Sequence, residues 1–539
     1  MTASIYSPIK LVIAAIILLS AGTLNSVIHA SPESPAPDTD EAQPAVENSG
    51  INSDTAPVPY EPLPDADALA KRMIDHQDIY AKIRDEALAA YAKLHPKTAP
   101  YDDEARAALR LLAYLHTWGD YYGEGLWQQY GAHAQILAGE DPCSDVWTTQ
   151  WRAHLFESQH TDDETAAEGV TKEAIDFDTD PYPAVFKFRS LTMVLQNLLV
   201  SRASHKINAL DSAAFKEVPH LVDLAAQSYT ELIREHLPED MLFDTGADFL
   251  AAANSDEPVL DSVSTALDKA FAGAAPGDPL AQVLKGDFHI EDAWRARGSG
   301  YVNTVSRRGW QGFYTHIDQA NAILRAVYKA HPDEPFIPLL MTKVLLNNPG
   351  SDDEMEQWFQ LGLKLNTDTF PLYRAKRWYL LPQWHGRGSE MPVLEFGVAC
   401  AATNDWTHKT PLILLQADHD PVRRSNPAFY ANGEIWTALE KTFRAYLQQY
   451  PNSIEYRTLF LNCAVKGGHW KVATEQFTLL GNHWDRSLLT GEAYNRLALA
   501  ITDHRAEATA PSQPAPAVQK ENSQAQPEQP ATAPLPPRD

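Results

Sequence analysis

Apolar residues return every three or four positions through most of this 539-residue chain, the period of helices that bury one face. Leu69, Met73, Ile79, Ile83, Leu88 and Tyr91 mark a first helix over 66–95, which His95-Pro96 closes. A second, over 103–118, carries Leu109, Leu112, Leu115 and Trp118 along one face. The same spacing predicts helices over 146–157, 186–205, 221–236, 354–365, 371–380 and 391–402. Four more follow over 433–449, 453–466, 470–480 and 491–504. Runs of alternating β-branched residues are scarce, so the predicted fold class is all-α.

One spacing recurs. Leu439, Phe443, Tyr446 and Pro451 are offset by four, three and five, and so are Ala320, Leu324, Val327 and Pro332. Ala226, Thr230, Ile233 and Pro238 give the same offsets. Downstream of the first set by about one repeat length come Gly468, Trp470, Ala473, Phe477 and Leu480. Small residues let two helices approach, an aromatic fills the groove, and proline stops the helix. This pattern resembles the tetratricopeptide repeat, which implies stacked helical hairpins, each covering its neighbour's apolar face. The sets are not evenly separated. The expectation is an irregular tetratricopeptide-like helical-hairpin solenoid over 281–505, preceded by an N-terminal helical region over 66–251. The Asp/Ser/Ala-rich span 252–280 reads as the junction between them.

A second resemblance covers about 291–402. Ala293-Trp294-Arg295-Ala296-Arg297-Gly298-Ser299-Gly300-Tyr301, Gly309-Trp310, Trp358-Phe359 and Leu380-Leu381-Pro382-Gln383-Trp384 with Gly386 carry it. The stretch resembles an uncharacterised bacterial domain-of-unknown-function family with tetratricopeptide-like helices. Gln383, His385, Arg387 and Gly388 depart from the Pro-Arg-Trp-Gly-Gly-Ser turn usual in such sequences. The resemblance implies a helical-repeat fold and supplies no catalytic residue.

The two ends differ from the body. Lys10 precedes an apolar run from Leu11 to Leu19, and Ile28-His29-Ala30 offers a cleavage point. The run is shorter than the ~20 residues that span a bilayer, so 1–30 reads as a secretory signal peptide. An uncleaved anchor and a cytoplasmic chain with a single basic residue at its start are the alternatives. Segments 31–65 and 506–539 are rich in Pro, Ala, Ser and acidic residues without periodicity, and are predicted to be disordered. The predicted location is periplasmic or secreted, or anchored facing the extracytoplasmic side.

The net charge of −27 disfavours partners built on phosphate backbones or anionic lipid, so neither nucleic acid nor a membrane beyond the possible anchor is expected. Three cysteines, Cys143, Cys400 and Cys463, make no disulfide framework; the latter two sit in apolar helical surroundings, where buried free thiols are expected. No phosphate-loop, dinucleotide, Gly-x-Ser-x-Gly or His-Glu-x-x-His pattern occurs, and no metal or cofactor is predicted.

The turn after 293 is the leading candidate site. Arg295 and Arg297 flank glycines that expose backbone amides, while Tyr301, Asn303 and Trp310 add stacking and hydrogen bonding. Such a loop could grip a carboxylate, phosphate or sugar. It could equally be a structural turn, with the arginines paired to acids such as Glu291. Asp418-His419-Asp420 with His408 is a weak metal candidate, since adjacent residues do not easily converge. Trp384-His385-Gly386 suits a helix-ending turn with a packed Trp. Trp118, Tyr121, Tyr122, Trp127 and Tyr130 could line a saccharide or peptide groove, or form core. The expected function is an exported binding scaffold for a protein or extended peptide. The rival is a secreted α/α-toroid enzyme acting on polysaccharide, for which Arg297, Tyr301 and His316 are the residues to test.

Overall fold

The computed structural model describes residues 66–509, except 97–98, most of 119–163, 204–211, 299, 301–303, 347, 349, 366–369, 387, 390, 407, 417–426, 452 and 487. The signal, the linker, the helix over 146–157, Cys143, Tyr121, Tyr122, Trp127, Tyr301, Asn303 and Asp418-His419-Asp420 lie outside the described residues, as does the tail beyond Thr509.

Among the described residues every regular element is a helix. The first group is α1 (Ala66–Leu94), α2 (Asp102–Trp118), α3 (Glu164–Asp176), α4 (Ala184–Ala203), the one-turn α5 (Ala213–Lys216), α6 (Val218–Arg234) and α7 (Glu239–Ala253). The middle holds α8 (Glu257–Ala274), α9 (Pro279–Arg297), α10 (Arg307–Ala330), α11 (Ile337–Leu345), α12 (Asp352–Leu365) and α13 (Phe370–Tyr379). The last group is α14 (Met391–Thr403), α15 (Leu412–Gln416), α16 (Pro427–Ala431), α17 (Gly433–Gln449), α18 (Ile454–Lys466), α19 (Trp470–Leu480) and α20 (Gly491–Thr509).

Helices pack on the next but one as well as on their neighbours. One row runs α4, α6, α8; a second runs α7, α9, α11, α13. Helix α10 lies antiparallel to α9: Gly286 faces Leu324 near one end, and Ala296 faces Gly309 and Gly312 near the other. A Cβ at Gly309 would sit 3.1 Å from the Ala296 carbonyl oxygen, so glycine there sets how closely the two backbones meet.

The span 252–280 is not a loose connection. Asp256 accepts the Val259 amide at the start of α8, and Leu260, Val263, Leu267 and Phe271 bury a helical stripe. A single apolar core runs unbroken through it, from Ile83 to Tyr379. A second core gathers Phe370, Leu394 and the helices from α15 to α20. Tyr373 and Phe396, stacked at 6.0 Å, belong to the flank of both. Lys376 lies at this seam, its ammonium 4.0 Å from the Phe359 ring and bonded to Glu356.

In the last group Leu439, Phe443, Tyr446 and Ala473 are buried, Phe443 stacks on Phe460, and Gly468 takes φ +73° in the turn before α19. Cys400 is a buried free thiol, and Cys463 is buried as well. The predicted tail starts late: α20 continues to Thr509. Burial, then Tyr450 just after α17 and Tyr80, raise the pKa of the Tyr114 hydroxyl on α2. No described helix is long and apolar enough to cross a membrane.

Candidate functional site

Helix α9 carries polar residues on faces that the fold buries. Gly298 ends it at φ +79°, and both predicted arginines sit in its last turn, yet they point to different partners. Arg295 donates through Nε to Asp292 at 2.6 Å and pairs with Glu257 of α8 at 3.1 Å. The expected partner Glu291 is not used. It accepts from Asn254 at 3.0 Å.

Arg297 is buried. Its guanidinium lies 5.5 Å from the Trp294 ring and 5.2 Å from the Trp310 ring, and Nη1 donates to the carbonyls of Gly298 (2.9 Å) and Gly300 (3.1 Å). Of the predicted ligand-gripping set, the structure therefore joins Arg297 to Trp310 and sends Arg295 elsewhere. Trp294 also meets Phe313 and Trp384 edge to face, so Trp384 joins the group through Trp294. The arrangement clamps the α9–α10 turn. Arg297→Ala is expected to cost about 2–3 kcal/mol, from two charge-assisted bonds and the ring contacts. Arg297→Lys should recover only part of it, because an ammonium cannot stack flat and bridge both carbonyls. Urea midpoints of the two variants check this.

Three further groups lie around α7, α9, α10 and α11, and of their members only Glu291 and His316 are named from the sequence. The first is a buried trio. Lys343 of α11 reaches Asp287 at 3.2 Å, with Glu291 one turn along α9. Burial opposes the Lys343 charge, but Asp287 and Glu291 outweigh it and raise its pKa. Burial, then the Asp287 carboxylate, push Glu291 up to about 7.

The second is an acid–histidine group. Asp292 is buried and accepts from Arg295, and its Oδ2 lies 3.1 Å from Nδ1 of His316 on α10. Nδ1 of His289 is 3.4 Å from the same His316 nitrogen. Burial, then His316 and Lys285, push His289 down to about 4, so it is neutral at physiological pH.

The third is a carboxyl pair, Glu239 at the start of α7 and Glu334 in the α10–α11 turn. Burial, then Glu239, push Glu334 up to about 8.

The remaining predicted positions have packing roles. His385 stacks on Tyr379 at 3.7 Å, its Nδ1 meets Asp352 and its Nε2 meets the Leu346 carbonyl. His408 pairs with Asp405 at 2.6 Å. Tyr130 is buried. Among the described residues no three His, Cys, Asp or Glu side chains form a metal-binding group.

No family model matches this chain, and no curated protein or solved structure matches it either.

Proposed function

We propose that the chain is an exported, tetratricopeptide-like scaffold that binds a partner protein through an extended peptide segment. The observation that carries this is the two-row packing of α4–α6–α8 against α7–α9–α11–α13, the arrangement by which helical hairpins stack into a grooved array. The buried Leu439, Phe443, Tyr446 and Ala473 add support, since they fill the positions that the repeat pattern reserves for packing. A rigid groove lowers the ordering cost of an extended ligand. Periplasmic or secreted placement belongs to the same proposal and rests on the apolar run after Lys10.

Arg297 is unsuited to test binding, because its loss loosens the α9–α10 turn itself. Tyr314 is better: it is 39 % exposed and stacks on Trp310. Wild type and Tyr314→Arg, matched by circular dichroism, are compared as baits in an envelope extract of the source cells. A polypeptide retained by wild type and lost by the variant is the expected result. If none is retained, and a glycan pool raises the melting temperature instead, the scaffold reading gives way to the enzyme.

One observation favours that rival, an α/α-toroid enzyme acting on polysaccharide: Asp292 is placed to orient His316. Under this reading His316→Gln abolishes hydrolysis of a polysaccharide panel without altering the fold.

A further inference from the structure

Helix α10 opens on a surface that combines cations with aromatic rings. Arg307, Gln311 and Tyr314 follow at steps of four and three, so they share one face of the helix, and all three are exposed. Arg308 and Thr315, one position on, are exposed beside them. Tyr314 stacks on Trp310 with ring centroids 5.8 Å apart and planes 24° apart. Buried groups hold the stack in place. Phe313 meets the two rings edge to face at 5.8 and 5.7 Å, and the Arg297 guanidinium lies 5.2 Å from the Trp310 ring. Among the described residues neither Arg307 nor Arg308 has an ion pair, although the chain carries 71 acids against 44 lysines and arginines.

The chain carries a complement to this surface in its own sequence. Residues 31–65, which lead directly into α1, contain eight acids, eight prolines and no lysine or arginine. Residues 510–539 also contain eight prolines, but only three acids against two bases. In 31–65 a proline is followed three positions on by an acid four times: Pro35 and Asp38, Pro37 and Asp40, Pro44 and Glu47, Pro62 and Asp65. In 510–539 this happens once, at Pro536 and Asp539. Polyproline II turns once in three residues and rises about 3.1 Å per residue, so the two members of such a pair fall on one side about 9 Å apart. Arg307 and Tyr314, seven positions apart on α10, are separated by about 10 Å along the helix axis. A proline set on the Tyr314 and Trp310 rings therefore brings its acid to the arginines, where carboxylate and guanidinium pair. Asp318, one turn past Tyr314 on the same face, repels the acid, which fixes the carboxylate toward the start of α10.

We infer that residues 31–65 dock in cis on this face of α10 and occupy it until a partner displaces them. The inference deepens the scaffold reading, because Tyr314 is the surface on which that reading is tested, and it makes the segment a built-in competitor. A tethered segment acts at an effective concentration on the order of millimolar, so a contact too weak for a separate peptide suffices. Fully extended, a segment of this length reaches over about 110 Å, so length does not limit which helix it meets.

Brief digestion of the whole chain with a glutamate-specific protease, at low ionic strength, tests this. Cuts at Glu41 and Glu47 report on the segment and cuts at Glu521 and Glu528 on the tail, so each sample carries its own reference. Cleavage follows the released fraction of a docked segment, so Arg307→Gln with Arg308→Gln is expected to speed the segment cuts at least about fivefold relative to the tail cuts. Tyr314→Ala should act in the same direction, and Arg307→Lys with Arg308→Lys should keep part of the protection. Asp38→Asn with Asp40→Asn and Asp65→Asn leaves the described helices untouched and should also release the segment. Equal segment cleavage in wild type and in these variants would overturn the inference. So would segment and tail cuts that speed up together, which report general loosening. Protection that fades as the protein is diluted would place the segment on a second copy and overturn docking in cis. The envelope-extract experiment separates the two ideas. A polypeptide retained there through Tyr314, with the segment unprotected here, removes this inference alone. A protected segment with no polypeptide retained, even by the variant lacking the segment's acids, removes the scaffold reading alone.

Discussion

Lys343→Met is expected to cost the protein about 3–5 kcal/mol, because it removes the cation from a buried group that holds two carboxyls. Lys343 reaches Asp287 at 3.2 Å, and Asp287 is 1 % exposed, so water cannot replace the lost charge. Glu291 lies on the same side of α9 and is itself buried. Methionine keeps most of the aliphatic stem among the apolar residues of α11, so the loss reports charge more than shape. Urea unfolding near neutral pH measures it. Adding Asp287→Asn and Glu291→Gln to the variant removes the stranded carboxylates, and most of the stability should return. If the triple variant stays as unstable as the single one, packing around the lysine stem carries the effect and the electrostatic account fails.

The trio also shows what the sequence made legible and what it hid. Long amphipathic stretches were readable because three- and four-residue spacing survives any tertiary context: α1, α17 and α19 start and end where periodicity, Pro96, Pro451 and the two glycines at 467–468 put them. Helix α8 is hard to read from sequence because Asp, Ser and Ala dominate it. Its four buried apolar residues are a helical stripe that composition alone conceals. The turn after Trp294 was found as a special place, but its role depended on where the arginines pointed. Two residues along a helix rotate a side chain by about 200°, which is how Arg295 meets Glu257 while Arg297 meets Trp310. Asp287, Glu291 and Lys343 left a weaker trace. Each is a charged residue inside an apolar stripe, and Lys343 between Leu340, Met341, Val344 and Leu345 is the clearest case. Pairing across helices far apart in sequence is a tertiary fact, and so is the meeting of Glu239 with Glu334.

Stability is expected to fall as the pH rises from about 6.5 to 8, and Glu334→Gln should flatten that fall. The sign follows from where protons sit. Glu334 is held at about 8 and Glu291 at about 7, both above the ordinary carboxyl value of roughly 4.3. Between the unfolded and folded values the folded chain keeps a proton that the unfolded chain has released, so raising the pH favours unfolding. One such carboxyl removes up to about 1.4 kcal/mol per pH unit. His289 acts in the opposite sense. Held at about 4, it stays neutral in the folded chain while the unfolded chain binds a proton until roughly 6.5, so it adds stability as the pH rises to that point. The two influences oppose each other below about 6.5, and only the carboxyls act above it. Melting curves at half-unit steps across the window, for wild type and Glu334→Gln, isolate the one group, because every other titration is common to both. Glutamine keeps the shape of the side chain and can donate to Glu239 without titrating. Parallel curves would mean that Glu334 is already ionised in the folded protein.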